Sequence, residues 1–242
     1  MLRPDTALLW EHLKEHSGLS GFILVGGTAL SMHLNHRLSE DLDFMITARR
    51  LPRQQIEALK RECGQAGFTF TSNDSPQGLI EFEDAGLDYL DYQQDYIVGG
   101  SVKLTLMAPD AEVAIHLNEA RHRGPRVASL EEIFRLKCMA CADRTKSRDW
   151  LDVYLLLRSG HFQPMDIYRT FERAGVLQKL DIAMARMTRG KISPSDEGYE
   201  SLLDEPPTVA QMQRYFGEVF DEVQVQASRL RVLDGEGLRS PR

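Results

Sequence analysis

The stretch Phe22-Ile-Leu-Val-Gly-Gly-Thr-Ala-Leu30, followed by Asp41-Leu-Asp-Phe-Met-Ile46, decides the fold of this chain. The apolar run from Phe22 to Val25 predicts a short buried strand, which stops at the pair Gly26-Gly27. Thr28 then opens a segment that predicts a short helix. The alternation of acidic and apolar residues after Asp41 predicts a second strand. The sequence thus predicts a strand, a glycine turn, a helix and a second strand in close succession.

Asp41 and Asp43 share one face of the predicted second strand, because successive strand residues point to opposite sides. Neighbouring carboxylates repel each other unless a cation lies between them, so this pair predicts a divalent metal site. A glycine turn before a helix N-terminus is a common place for a phosphate, although Gly26-Gly27 alone is more typical of an ordinary turn. Residues 28–40 between the motifs are enough for one short helix and a return to the sheet. The combination therefore favours a metal-bound nucleotide.

The composition limits the class of protein. The chain has 242 residues, of which 42% are hydrophobic and 27% charged, as in ordinary globular proteins with one large domain or two small ones. No apolar run approaches the length of a transmembrane helix, and the first residues lack a signal-peptide core. Three cysteines do not make a disulfide framework in a chain of this length, so we expect a cytoplasmic protein without membrane association.

The charge is unevenly distributed. The net charge of −7 argues against a protein that coats nucleic acid. Between Arg121 and Arg148, however, eight basic and three acidic residues give a local charge of +5. This segment predicts either a local polyanion site or a solvated helix face, and Arg121-His-Arg123 within it is a candidate RNA contact.

The pattern changes from mixed to helical along the chain. Amphipathic helices are predicted over 4–15 and 52–65, and an antiparallel meander over the strand-like runs 68–71, 79–83, 89–96 and 102–107. Ser129 and Glu132 form a capping-box pattern that opens a helix. Further helices are predicted over 147–157, 164–174, 177–187 and 208–230, with a long loop over 190–207. We therefore expect an α+β fold with an α/β domain (1–127), a helical domain that completes a cleft (128–233) and a flexible tail (234–242).

Cys138-Met-Ala-Cys141 has the C-x-x-C spacing of redox and zinc motifs. Both cysteines fall in the middle of an apolar helical segment, which favours buried structural thiols over a reactive pair. A zinc site would need two more ligands, for which Cys63 and the scattered histidines give little support.

Two motifs resemble a known family. Gly26-Gly-Thr-Ala-Leu30 with His36-Arg-x-Ser-x-Asp-Leu-Asp-Phe44 resembles the signature of the AbiEii/AbiGii nucleotidyltransferase toxins, which belong to the DNA polymerase β-like superfamily. Lys137-Cys-Met-Ala140, Arg144 and Arg148-Asp-x-x-Asp152 resemble the helical motif of the same family. The compatible order of elements extends the resemblance across residues 20–160.

The resemblance implies a polymerase β-like nucleotidyltransferase core with a small mixed sheet and flanking helices, followed by a helical C-terminal domain. It implies a toxin of a toxin–antitoxin or phage-defence pair, with a cognate antitoxin encoded nearby, that moves a nucleotide from an NTP to an acceptor hydroxyl and releases pyrophosphate. The acceptor expected from the family is a tRNA 3′ end, and the cofactor is Mg²⁺. The implied catalytic residues are Asp41, Asp43, Lys137 and Asp152, of which Asp41 and Asp43 hold the metal. The implied NTP-binding residues are Gly26, Gly27, Thr28, Ser39 and Arg148.

The residues alone leave alternatives open. Lys137 is also typical of a helix lysine whose stem covers apolar surface, and Arg148 and Asp152 have the spacing of an internal ion pair. His36 is a candidate for phosphate or metal contact, or a turn residue without a role. The chain also departs from the pattern of the superfamily, in which a later strand often carries a third carboxylate. The matching run 102–107 has Lys103 and Thr105 instead, which leaves the general base open.

Two other functions fit the same residues. One is a nucleotidyltransferase that modifies a small molecule or a protein side chain. The other is a non-catalytic protein that uses the fold to hold a nucleotide or a partner, which the absent third carboxylate favours.

Overall fold

The structure is a computed structural model that describes residues 2–35, 37–119, 123–194 and 196–237, with side chains to residue 230. These residues form ten α-helices and six β-strands. The chain divides into two compact units, Met1–Ile133 and Phe134–Arg242, and the boundary falls inside a helix. Each unit is described by itself.

The first unit contains a mixed sheet and its flanking helices. Its strands are β1 (Ile23–Val25), β2 (Leu42–Met45), β3 (Phe70–Ser72), β4 (Gln93–Val98), β5 (Val102–Met107) and β6 (Arg126–Val127). Its helices are α1 (Pro4–Leu13), α2 (Gly26–Leu34), α3 (Arg53–Gln65), α4 (Pro76–Asp84), α5 (Ala111–Ala114) and the start of α6 (Leu130–Asp143). Short 3₁₀ helices lie at Ser17–Leu19 and Tyr89–Asp91.

The strand order in the sheet is β3-β4-β5-β2-β1-β6. The pairs β1–β2, β3–β4 and β4–β5 are antiparallel, whereas β2–β5 and β1–β6 are parallel. The predicted antiparallel meander is therefore present as β3-β4-β5. Strand β5 of this meander pairs with β2, the strand that follows Asp41. This pair is parallel, unlike the neighbouring strands of a meander.

The core of the first unit follows the hydrophobic patterns. All of β1 is buried, as its continuous apolar sequence predicts, and in β2 the buried residues Leu42 and Phe44 alternate with half-buried Asp43 and Met45. This alternation is typical of a strand with one face in the core. The mixed α/β architecture predicted for this half is confirmed.

The predicted strand over 79–83 is wrong, because these residues lie in helix α4. The hydroxyl of Ser75 accepts a hydrogen bond from the backbone N–H of Gly78, and Pro76 occupies the first turn, so the helix has an ordinary N-terminal cap. No residue of α4, a helix described in full, is buried. The alternation of apolar and acidic residues in Leu79-Ile-Glu-Phe-Glu83 therefore does not correspond to one buried and one exposed face.

The predicted capping box of Ser129 and Glu132 is confirmed at the start of α6. The Glu132 carboxylate accepts from the backbone N–H of Ser129 (2.8 Å), and the Glu132 N–H donates to the Ser129 hydroxyl (3.2 Å). The same buried carboxylate accepts from Asn118 N–H (2.7 Å) and pairs with Arg126 (2.6 Å). Burial alone would raise the pKa of Glu132, but Arg126 and the two N–H donors outweigh burial, and the pKa lies below its usual value.

The second unit is helical. After α6 it contains α7 (Ser147–Arg158), α8 (Pro164–Arg173), α9 (Leu177–Arg189) and α10 (Val209–Gly237), with a 3₁₀ turn at Glu200–Leu202 in the predicted loop. The predicted helices are all present, which confirms the helical C-terminal half. Helix α10 continues to Gly237, so the first residues of the predicted tail 234–242 are helical, and residues 238–242 lie outside the described residues.

The three cysteines are buried and unpaired with one another. Burial raises the pKa of each thiol, to about 11 for Cys63, so the thiols are uncharged at neutral pH. For Cys138 and Cys141 this agrees with the interpretation as structural residues. In the described part of the chain, no helix has both the length and the apolar composition needed to cross a bilayer.

Candidate active site

The turn at Gly26 brings the start of α2 against a carboxylate. Val25 at the end of β1 is the register partner of Asp43 on β2. Gly26 follows with φ = +72°, a conformation that favours glycine, and a Cβ atom at this position would lie 2.6 Å from Asp43 Oδ2. Both the backbone angle and the close contact therefore require glycine at position 26.

The two predicted metal ligands lie at the centre of the sheet. Asp43 stands between Val25 on β1 and Thr105 on β5, and Asp41 immediately precedes β2. Both carboxylate residues are partly exposed, while Leu42 between them is buried. The structure thus brings the acidic pair and the glycine turn together, and metal binding by this pair stays a prediction.

Thr28 and Ser39 hold the segment that carries Asp41. Both are buried, and the Thr28 hydroxyl donates to the backbone carbonyl of Asp41 and lies 2.8 Å from the Ser39 hydroxyl. One turn later, the Ser31 hydroxyl donates to the carbonyl of Arg37 (3.0 Å). These contacts favour a positioning role for Thr28 and Ser39, in contrast to the direct phosphate contact that the resemblance implied.

Arg37 lies beside the glycine pair, a position that the sequence interpretation did not assign to it. Its side chain is only 5% exposed, and its guanidinium occupies the space that a Cβ atom at Gly27 would need. A buried guanidinium at the first turn of α2 adds a fixed positive charge beside the glycine pair. The motif His36-Arg37 contains this residue, but the motif alone does not indicate which of its two side chains lies at the glycine pair. His36 lies outside the described residues.

The third carboxylate of the superfamily has no counterpart on β5. Thr105 takes the register position beside Asp43, and the next strand over, β4, places Asp95 beside Thr105. Asp95 is buried and accepts from Thr105 Oγ1 (2.8 Å), Gln93 Nε2 (2.7 Å) and the Tyr89 hydroxyl (3.0 Å). Two strand spacings, about 10 Å, separate the backbones of Asp95 and Asp43, and Thr105 lies between them. Asp95 therefore belongs to a hydrogen-bonded network of the sheet.

In the second unit, Lys137 lies in a buried ion-pair network. Its ammonium is 2.7 Å from Asp149 Oδ1 and 2.8 Å from Asp152 Oδ2, and Arg144 Nε donates to Asp149 Oδ2 at 2.8 Å. Burial would raise the pKa of Asp149, but the charges of Lys137 and Arg144 outweigh burial and the pKa is lowered. The sequence interpretation considered Arg148 as the ion-pair partner of Asp152 and did not single out Asp149, whereas both carboxylates contact Lys137. Their spacing of three residues on α7 could have identified both.

Arg148 is directed toward the loop that follows α9. Its Nε donates to the carbonyl of Gly198 (2.8 Å) and its Nη1 pairs with Glu197 (2.9 Å). Beside it, the backbone N–H and hydroxyl of Ser147 at the start of α7 both donate to the carboxylate of Asp196. An anionic loop therefore already occupies the end of the helix at which the sequence predicted a phosphate contact.

The local charge of +5 is partly compensated by carboxylates outside the segment. Lys137 pairs with Asp149 and Asp152, Arg144 pairs with Asp149, and Arg148 pairs with Glu197. Arg121 of the candidate RNA contact lies outside the described residues. The charge of this segment alone is therefore weaker support for an RNA site than the sequence suggested.

The predicted site residues fall into two groups. Those in the first unit are Gly26, Gly27, Thr28, Ser39, Asp41 and Asp43. Those in the second unit are Lys137, Arg148 and Asp152. Their meeting in one cleft stays a prediction.

Comparison with known families agrees with the geometry of the first unit. Residues 7–221 match the model of the family described as nucleotidyl transferase AbiEii toxin of type IV toxin–antitoxin systems. The chain belongs to the AbiEii nucleotidyltransferase toxin family. The match covers most of both units and includes the glycine turn, the acidic pair and the network around Lys137. The suspected family and the nucleotidyltransferase class are thereby confirmed.

Two crystal structures resemble the AbiEii chain. JHP933 from Helicobacter pylori is 18% identical, with coverage of 97% of this chain and 100% of that one and a TM-score of 0.47. An H. pylori protein provisionally assigned as a nucleotidyltransferase is 17% identical, with coverage of 93% and 96% and a TM-score of 0.49. Likeness at this level carries no conclusion about activity. No curated protein matches the sequence.

Lys137 of the AbiEii chain has a structural role that can be measured. Because Lys137→Met leaves Asp149 and Asp152 buried without this cation, we expect the free energy of unfolding to fall by about 3–5 kcal/mol. Lys179→Met is the matched control, since Lys179 pairs with half-exposed Asp143 at 3.3 Å and its loss should cost at most about 1 kcal/mol. Urea unfolding of both variants tests this. Equal stability of Lys137→Met and the parent chain would contradict it.

Proposed function

We propose that this AbiEii toxin transfers a nucleotide from an NTP to the 3′ hydroxyl of an RNA, with tRNA as the acceptor, and releases pyrophosphate. The observation that carries the proposal is the contact between the glycine turn and the acidic pair. The backbone of Gly26 lies against Asp43 Oδ2, where a Cβ would come within 2.6 Å. This contact sets backbone N–H donors for phosphate oxygens next to carboxylates for a metal.

The donor set around Asp43 fits Mg²⁺. Asp41 and Asp43 offer hard carboxylate oxygens and are partly exposed, so that a metal held by them keeps positions for water and phosphate oxygens. When bound, the metal would neutralise charge on the transferring phosphoryl group. The N–H groups at the start of α2 would bind phosphate oxygens of the NTP, which Gly26 and Gly27 permit because they have no side chain in the way. Thr28 and Ser39 would keep Asp41 in place.

Lys137, Arg148 and Asp152 complete the proposal from the second unit. Lys137 would supply positive charge toward the triphosphate, and Asp152 would orient its ammonium, an arrangement supported by their 2.8 Å contact. Arg148 would contact a phosphate after it leaves Glu197. Asp152 is also the candidate general base, because β5 carries Thr105 where other superfamily members have a carboxylate.

The partners follow from the family and the chemistry. An AbiEii toxin implies an antitoxin, which we expect to be encoded nearby, and an NTP as the donor. NTPs and tRNA are cytoplasmic, and the proposal therefore places the toxin there. Growth arrest through modified tRNA would be a means of phage defence.

The second candidate is a non-catalytic protein of the same fold. Two observations favour it: the lack of a carboxylate on β5, and the burial of Lys137 between Asp149 and Asp152. A nucleotidyltransferase for small molecules or protein side chains is the other alternative, since the first unit does not by itself select the acceptor.

One labelling experiment separates these functions. The chain is incubated with each of the four α-labelled NTPs, Mg²⁺ and total RNA, and the products are resolved on a denaturing gel. We expect label in the tRNA band with one preferred NTP, and its loss on treatment with EDTA. Label on protein, or on an added small hydroxyl compound, would overturn the RNA acceptor. Absence of label with all four NTPs in Mg²⁺ and in Mn²⁺ would favour the non-catalytic function.

A further inference from the structure

Three potential metal ligands meet where α1 ends and α3 passes it. His12 lies in the last turn of α1, His16 follows it, and Cys63 lies on α3. One ligand atom from each residue lies within 4.8 Å of the other two. Cys63 is far from the two histidines in sequence, and none of the three residues plays a part in the proposed nucleotidyl transfer.

His12 carries a buried nitrogen that needs an explanation. Its Nε2 atom is shielded from solvent and has no hydrogen-bond partner among the described residues. The ring packs against Phe68, with centroids 4.8 Å apart, and this contact satisfies the apolar face of the imidazole but not its nitrogen. Buried polar atoms in native proteins are nearly always paired, so this nitrogen, beside a thiol and a second imidazole, is available to a ligand.

A fourth ligand is available beside the cluster. Glu62 precedes Cys63 on α3, and its Oε2 lies 3.4 Å from His16 Nε2. In tetrahedral zinc sites the ligand atoms are about 2.0–2.3 Å from the metal, which places them roughly 3.3–3.8 Å from each other. The pair His16–Glu62 already has this spacing, and the wider cluster needs a contraction of about 1 Å. The exposed Glu62 carboxylate gives a metal ion a path from solvent.

We propose that His12, His16 and Cys63 bind Zn²⁺, with Glu62 or water as the fourth ligand. Zn²⁺ would displace the proton of the Cys63 thiol. The resulting donor set of two imidazoles and a thiolate selects zinc over magnesium or calcium, which bind oxygen. The metal ties the end of α1 to α3. The side-chain amide of Gln55 on α3 already donates hydrogen bonds to the carbonyls of Gly18 (3.1 Å) and Ser20 (2.9 Å) in the segment after α1. Zinc would therefore add a second link between this segment and α3.

The tautomer of His16 changes when zinc binds. In the metal-free chain, Nδ1 of His16 accepts from the backbone N–H of Gly18 at 3.0 Å. Coordination through Nε2 moves the ring proton to Nδ1, because a neutral imidazole protonates only one nitrogen. The Gly18 N–H then loses its acceptor. Zinc binding therefore has a local signature, a shift of the Gly18 amide resonance, in addition to the metal itself.

A cobalt titration of the full-length chain tests the site, because tetrahedral Co²⁺ absorbs visible light and its thiolate bond gives a near-ultraviolet charge-transfer band. We expect both features to saturate at one Co²⁺ per chain and to disappear on addition of Zn²⁺. Cys63→Ser and His12→Gln should each weaken Zn²⁺ binding by at least about a hundredfold. Cys138→Ser and His161→Ala, which change a thiol and an imidazole elsewhere, should leave it unchanged.

Thermal unfolding keeps the test decisive if a variant folds poorly. Zn²⁺ should raise the Tm of the parent chain, Cys138→Ser and His161→Ala, but not that of His12→Gln or Cys63→Ser. Loss of the cobalt bands in Cys138→Ser together with their survival in Cys63→Ser would overturn the proposal in favour of the C-x-x-C pair. Absence of tetrahedral bands at stoichiometric Co²⁺ in the parent chain would overturn it outright. Neither result depends on nucleotidyl transfer.

Discussion

Asp43→Asn is expected to abolish nucleotidyl transfer and growth arrest, with a loss in rate on the order of a thousandfold or more. The asparagine keeps the shape of the side chain but removes the charge that holds a divalent metal. Because Asp43 is half-buried between Val25 and Thr105, the change removes a charge without opening a cavity. We expect the Tm to stay close to that of the parent chain, so that the loss reports on the site. Asp41→Asn should have the same phenotype.

Glu40→Gln is the matched control for these variants. Glu40 adjoins Asp41, but its carboxylate pairs with Arg3 at the surface, so the change should leave transfer within about twofold of the parent. The measurements are label incorporation into RNA at saturating NTP and Mg²⁺, and colony formation after induction. Growth arrest that survives both Asp41→Asn and Asp43→Asn would contradict the enzymatic proposal.

Gly26→Ala is expected to have the second-largest effect. The alanine must adopt φ = +72°, which costs about 1–2 kcal/mol for an L-residue. Its Cβ would also lie 2.6 Å from Asp43 Oδ2, so the carboxylate has to move. A displacement of about 1 Å at a reacting centre can reduce the rate by about a hundredfold. We therefore expect a large loss of transfer with a moderate loss of stability.

Gly21→Ala separates strain from displacement. Gly21 also has a positive φ (+84°), but no atom lies within 4 Å of an added Cβ. This variant should lose about 1–2 kcal/mol of stability and keep its activity. Urea unfolding and label incorporation, measured on both variants, give the comparison. Equal transfer rates for Gly26→Ala and Gly21→Ala would show that the contact with Asp43 does not matter.

The order of elements around the glycine turn could be predicted because each local signal has a direct physical cause. The apolar run before Gly26 is buried on both faces, and the alternation after Asp41 matches a strand with one face in the core. Both strand predictions agree with the structure to within one residue at each end. The capping box at Ser129 was equally local, since its two hydrogen bonds join residues three apart.

Helix α4 shows where such reasoning fails. A short alternating run predicts a strand only if one face is buried, and here the helix start at Ser75-Pro76 determines the structure instead. The contacts of Thr28 could not be predicted for another reason. They depend on how residues 37–41 return across α2, and no local pattern specifies that path.

In the second unit, the sequence could predict contacts that follow from helical spacing but not contacts between residues distant in sequence. Helical spacing brings Asp149 and Asp152 to one face of α7, so their joint contact with Lys137 was within reach of the sequence. The pairing of Arg148 with Glu197 was not, because most of α7 and the helices α8 and α9 separate the two residues in sequence and no periodicity connects them.

The loop after α9 has a consequence for how anions bind at α7. Asp196 and Glu197 already supply negative charge to the Ser147 N–H and to Arg148, which would otherwise attract small ions from solution. A phosphate that binds there replaces a carboxylate of the chain, so binding is an exchange of one anion for another and releases few counterions. Its affinity should then fall less steeply with salt than the number of basic residues in this region suggests.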